Sequence, residues 1–182
     1  MPVSCSVFVA TSIDGYIARP DGSLDWLDRA RETMSPGEDC GFGDFLASVD
    51  AVVLGRRTFE KVLSFPDWPY ESKPVWVLSE SLEEPPAGRW ESVRILSKPP
   101  ADVVRLAENY HFDRLYIDGG RAIQSFLSAR LITDLTITTI PILLGSGLPL
   151  FGPTSGDVRL SHVFTRVYDF GFVQNRYAVL SA

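Results

Sequence analysis

Two short apolar runs in this chain stop at glycine and pass straight into a segment with helical spacing. That junction restricts the fold more than any other feature. The first run is "VDAVVLG" (Val49–Gly55), continued by "RRTFEKVL"; the second is "RLYIDGG", continued by "RAIQSFLSA". Short runs rich in Val, Ile and Leu and closed by glycine have the character of buried strands, and the segments after them place apolar residues at helical intervals. Strands that alternate with helices in this way predict an α/β domain around a largely parallel sheet.

The rest of the chain extends this plan. "SVFVATSIDGYIA" supplies a first strand with a turn at Asp14-Gly15, and "RPDGSLDWLDRARE" a helix with Ser23 as candidate cap. "GFGDFLASV" reads as a short helix before the strand Ala51–Leu54, and "SFPDWPYESKP" as a proline-broken loop. Pro74–Ser79 and Ser92–Ser97 are further β-rich runs, followed by a helix over roughly Ala101–Tyr110. After Asp134, "LTITTIPILL" reads as a long strand interrupted by Pro141. The tail "SHVFTRVYDFGFVQNRYAVLSA" reads as two strands that turn near Gly171 and pair antiparallel.

Bulk properties narrow the function classes. A chain of 182 residues, 45% hydrophobic and 22% charged, suits one globular domain. No apolar stretch approaches the ~20 residues of a membrane-spanning helix, and the start "MPVSCSVFVA" lacks a basic leader. Cys5 and Cys40 have no metal-like spacing, so a reduced, cytoplasmic protein without a bound metal is expected. A net charge of −6 argues against nucleic acid as a partner, so any positive site must be local.

The strand–helix junctions are where such a site belongs, because parallel sheets bind ligands at the carboxyl ends of their strands. A helix N-terminus offers unpaired N–H groups and partial positive charge, which favour phosphate. Gly119-Gly120 would let anionic oxygens approach the backbone, and Gly55-Arg56-Arg57-Thr58 adds guanidinium groups and a hydroxyl. Taken alone, the glycine pair is equally a packing turn. The arginines oppose the helix dipole unless an anion sits there. Together the junctions suggest an extended, doubly phosphorylated ligand such as a dinucleotide, although G-x-G-x-x-G is missing after the first strand.

"LGRRTFEKV" resembles the Gly-Arg-x-Thr junction of the dihydrofolate reductase fold, "PVWVLS" its next strand, and "LYIDGGRAIQSFL" its Gly-Gly segment and helix. "SIDGYIA" and "LSARLITDLTITTIPILLGSGLPLF" look more like the reductase domain of riboflavin biosynthesis and its stand-alone bacterial relatives. The resemblance covers roughly residues 3–180 and implies a single three-layer α/β sandwich, with a mostly parallel central sheet and an antiparallel C-terminal hairpin. It also implies NADPH-dependent hydride transfer to a phosphorylated aminopyrimidine, 5-amino-6-(5-phosphoribosylamino)uracil or a related heterocycle. The alternatives are a dihydrofolate reductase proper and a nucleotide-binding module without turnover.

By position, the resemblance puts Ala10 and Ile17 beside the nicotinamide. Gly55, Arg56, Arg57 and Thr58 would hold phosphates, with Leu78 and Ser79 near the adenosine. Gly119, Gly120, Arg121, Ala122 and Ile123 would wrap the pyrophosphate. Glu80 departs from the pattern, since a carboxylate there opposes a 2′-phosphate and makes NADH an alternative cofactor. Asp25 is the leading catalytic carboxylate and Asp14 its rival, whose bland reading is a turn residue. Trp26 and Thr138 are candidate substrate contacts, and Arg19, Arg29 and Arg31 candidates for a substrate phosphate. The riboflavin reductases it resembles also imply a homodimer.

Overall fold

The computed structural model describes residues 2–70, 72–85 and 92–180. The first half contains β1 (Ser4–Ser12), β2 (Tyr16–Ala18), α1 (Asp25–Arg31), α2 (Phe42–Ala47), β3 (Ala51–Gly55) and α3 (Arg56–Leu63). Then come β4 (Val75–Leu78), β5 (Val93–Leu96), α4 (Pro100–Asn109), β6 (Arg114–Asp118) and α5 (Gly120–Ser128). The chain closes with β7 (Ile132–Ile140), β8 (Leu148–Pro149), β9 (Leu160–Val167) and β10 (Val173–Val179).

Eight strands form one sheet in the order β5-β4-β3-β6-β1-β7-β10-β9. The strands from β5 to β7 are mutually parallel, whereas β10 runs antiparallel to both β7 and β9. The mostly parallel sheet with its antiparallel C-terminal hairpin is the one expected.

Alternation along the strands divides the core into layers. Ala51 and Val53 of β3 join Leu115, Ile117, Ile123 and Phe126, with α4 and α5 covering that face. Val52 and Leu54 point the other way and pack with Phe45, Phe59 and Tyr116 beneath α2 and α3. A period of two residues along a strand produces this partition. Trp26 of α1 packs separately with Ile140, Tyr168 and Phe172 near the end of β7.

Three details differ from the sequence reading. Ser23 does not cap α1: Leu24 is the N-cap and no side chain bonds there, because Ser23 is folded into a turn whose N–H donates to Asp21 Oδ1 at 2.9 Å. The strand over 135–144 ends at Ile140; Pro141 has no N–H to continue the ladder. The Gly-rich loop after it contains β8, which pairs with β2 as a small separate sheet. Among the described residues, no helix is long and apolar enough to cross a membrane.

Candidate active site

The two strand–helix junctions lie against each other. β3 and β6 are parallel neighbours with Leu54 opposite Asp118, so α3 and α5 begin side by side. A Cβ added to Gly119 would stand 2.1 Å from Thr58 Oγ1, and Gly119 has φ +87°, a region L side chains rarely adopt. A Cβ at Gly120 would come within 3.0 Å of Ile17 Cδ1 and 3.2 Å of the Pro149 carbonyl. Neither helix has a side-chain cap or an acidic residue in its first turn. Their leading N–H groups and positive dipole ends are therefore left for an anion.

A cleft of about 1260 Å³ runs over these junctions and on toward α1. Its walls include Ala10, Ile17, Gly55, Arg56, Arg57, Thr58, Leu78 and Ser79, and also Gly119, Gly120, Arg121 and Ala122. Ile123 does not join them: it is fully buried in the core beneath α5. Arg56 is partly committed, donating Nε to Glu60 at 2.7 Å and Nη1 to Ser81 Oγ at 2.7 Å. Arg57, Lys61, Lys98 and Arg121 line the cleft without an ion pair among the described residues. Glu80 lies on the same wall as Ser79 and Lys98.

The carboxylates expected to do chemistry lie elsewhere. Asp25 does not line the cleft; Arg19 holds it through Nε at 2.5 Å and Nη2 at 3.1 Å, with Arg29 at 3.6 Å. The Arg19 guanidinium keeps the Asp25 carboxyl below its ordinary range. Trp26, beside it, is buried in the packing under α1 and absent from the cleft wall. Asp14 also stays outside the cleft. It accepts Ser12 Oγ at 2.6 Å, Gly145 N at 2.7 Å and Leu144 N at 3.1 Å, and so ties the β1–β2 turn to the loop after β7. These hydrogen bonds, Ser12 first, lower its pKa. Thr138 is on the wall, near Ile140 and Phe172.

Among the carboxylates that do line the cleft, with Asp39, Glu60 and Glu80, Asp118 is the one that closes β6 at the glycine junction. Tyr70 Oη donates to Asp118 Oδ2 at 2.8 Å, and the Gly119 N–H to Oδ1 at 2.8 Å. Burial dominates nevertheless, and pushes the Asp118 carboxyl above its usual range. Burial and this carboxylate hold the Tyr70 phenol well above its ordinary value, so Tyr70 stays a donor. A signal for Asp118 was present in the sequence: a lone acid closing an apolar strand at the edge where parallel sheets bind ligands.

This geometry has relatives. The sequence pattern of the RibD C-terminal domain matches residues 4–173. The chain belongs to the RibD C-terminal domain family. It is thus a member of a riboflavin-pathway-type reductase family. The uncharacterized YwjB of Bacillus subtilis is 35% identical to this RibD C-terminal domain over 157 residues, covering 85% of this chain and 86% of that one. A Shewanella sp. PV-4 protein named for riboflavin biosynthesis is 40% identical, with a TM-score of 0.91, over 98% of this chain and all of that one. Dihydrofolate reductase from Enterococcus faecalis, complexed with NADP(H), shares the fold of this RibD C-terminal domain at a TM-score of 0.63 and 18% identity, over 98% and 97% of the two chains.

Proposed function

We propose that this chain is an NADPH-dependent reductase acting on a planar heterocycle of the aminopyrimidine or pterin type. The observation that carries the proposal is the meeting of two helix N-termini, neither with an acid in its first turn, in a cleft where Arg57, Lys61, Lys98 and Arg121 have no ion pair among the described residues. The residues present fit a dinucleotide. Gly119 and Gly120 leave a cradle that a Cβ would crowd, and Arg57 and Arg121 stand beside it. Arg56, Ser79 and Lys98 would meet the adenosine and its 2′-phosphate, and Ala10 and Ile17 the nicotinamide side. When bound, the reduced nicotinamide supplies a hydride, that is, two electrons and a proton's worth of hydrogen.

The chain's own part is to orient and to protonate. Burial raises the Asp118 pKa and so favours its protonated form, and Tyr70 and the Gly119 N–H orient the carboxyl. Delivery of that proton to the acceptor nitrogen would neutralise the charge left when the hydride reaches carbon. The test is a titration with NADPH and then NADH, followed by quenching of tryptophan fluorescence. Saturable micromolar binding of NADPH is expected, and binding of neither nucleotide would end the reductase reading. Glu80→Ser is expected to raise the preference for NADPH over NADH about tenfold, since a like charge near the 2′-phosphate is removed. An unchanged ratio of the two dissociation constants would place Glu80 outside that contact.

The partner expected is a second copy of the chain. β9 is the terminal strand of the sheet, and its eight residues are all exposed, including Val163, Phe164 and Val167. An unpaired edge of this length without proline invites pairing, and two identical antiparallel edges satisfy a twofold axis. Sedimentation at micromolar concentration should give twice the mass of 20.2 kDa. Val163→Lys with Val167→Lys should give the monomer. A wild-type monomer would remove the proposal. Cys5 and Cys40 are both free and buried, which suits the reducing cytoplasm.

A further inference from the structure

The cleft wall beside the start of α5 is made by the small sheet of β2 and β8, which is too short to hold itself together. One strand has three residues and the other two, and an isolated two-stranded pair is marginal in water even when longer. Pro149, the last residue of β8, has no N–H to give a ladder. Yet this pair carries Ile17, Ala18, Leu148 and Pro149 onto the cleft wall. Its fit against α5 is close, since Gly120 has no room for a Cβ beside Ile17 and the Pro149 carbonyl. Contacts from outside the pair must keep it there.

The structure supplies a fastening at each end. At the outer end, Asp14 accepts the N–H groups of Leu144 and Gly145, and the Leu150 N–H donates to the Gly15 carbonyl at 3.0 Å. At the inner end stands Gln124, one turn into α5 and itself on the cleft wall. Its Nε2 donates to the Pro149 carbonyl at 3.1 Å and to the Leu150 carbonyl at 3.2 Å. Carbonyls only accept, so the amide nitrogen must face them, and its two hydrogens serve one carbonyl each. The amide oxygen is turned toward Gly152, where an added Cβ would stand 3.0 Å from it. Leu150 is buried in the core, so the end of β8 is held by apolar packing on one side and by Gln124 on the other.

We infer that Gln124 is a positioning residue for the cofactor: its amide holds β8, and through β8 the Ile17 strand, against the start of α5 before the cofactor arrives. The inference rests on the reductase reading. Preassembly bears on affinity directly, because a pocket formed in only a fraction of molecules binds more weakly by that fraction.

The test is hydrogen exchange at the Leu150 amide in the full chain without cofactor, followed by a titration with NADPH. In the wild type this N–H is expected to exchange about a hundredfold more slowly than in an unstructured peptide. Gln124→Met keeps the length of the side chain and removes both bonds, and should speed the exchange about tenfold. The amides of β6 should not change. In the same variant the dissociation constant for NADPH should rise about threefold or more. Gln124→Glu, which has the same shape but no donor at neutral pH, should speed the exchange equally, and it serves if the Met variant folds poorly. An unprotected Leu150 in the wild type, or equal exchange in variant and wild type, would overturn the inference. Weaker NADPH binding with unchanged exchange would overturn it too, since Gln124 would then touch the cofactor without positioning the wall. Faster exchange with unchanged affinity would do the same from the other side. Failure of the reductase reading is distinct: the wild type would bind neither NADPH nor NADH while the contrast in exchange persisted.

Discussion

Asp118→Asn is expected to lower kcat by about 10²–10⁴-fold, the range for losing a positioned general acid, while making the protein more stable at neutral pH. The two effects have one cause. Burial raises the folded-state pKa of Asp118 above its ordinary 3.8. The native state therefore holds this proton more tightly than the unfolded chain does. Stability from this group is greatest below pH 3.8 and declines as pH rises through the folded-state pKa, so the fold favours the protonated carboxyl over the ionised one. Asparagine removes the charge and keeps one side-chain oxygen, which can accept from Tyr70 or from the Gly119 N–H but not from both. Thermal unfolding across pH should show a higher midpoint for the variant at pH 7 and a flatter profile in the acid range. Affinity for NADPH should be retained. More than a tenth of wild-type activity in the variant would assign the proton to another source.

Gly119→Ala is expected to reduce stability by about 2–4 kcal/mol, combining strain at positive φ with a clash. The new methyl group would need the space of Thr58 Oγ1, 2.1 Å from the ideal Cβ position. Either Thr58 rotates or α5 withdraws, and both disturb the cradle between the two junctions. For a chain of this size the unfolding midpoint should fall by ~10 °C, and the dissociation constant for NADPH should rise at least tenfold. Thr58→Ala in the same background should recover part of the stability, since Oγ1 is removed, but none of the strain at φ +87°. Independent effects of the two substitutions would mean that the junctions do not touch.

The strand–helix order was legible because its signals are local. Apolar runs at Val49–Gly55 and before Gly119, helical spacing after them, and the turn at Gly171 each occupy a few adjacent residues. The same locality explains why most residues singled out at the junctions line one cleft, since they are strand ends and the first turns of helices. Ile123 alone fell outside that wall, because helical spacing turns it toward the core.

The acid was assigned differently by the two levels of reading. Asp25 was chosen by its place in a helix near the expected substrate, but the pairing of Arg19 and Asp25 across the turn before α1 keeps its carboxylate out of the cleft. Asp118 became the reactive candidate through contacts that no sequence window contains: Tyr70 is 48 residues away, and the desolvation comes from strands and aromatic rings assembled around it. By itself the sequence determined which segments are strands and helices, and where glycine and arginine open two helices. Only the tertiary structure decided that β3 lies beside β6 and brings those helix starts together, and which carboxylates line the cleft. Local conformation follows from neighbours in the chain, whereas burial, and the pKa that burial sets, follows from neighbours in space.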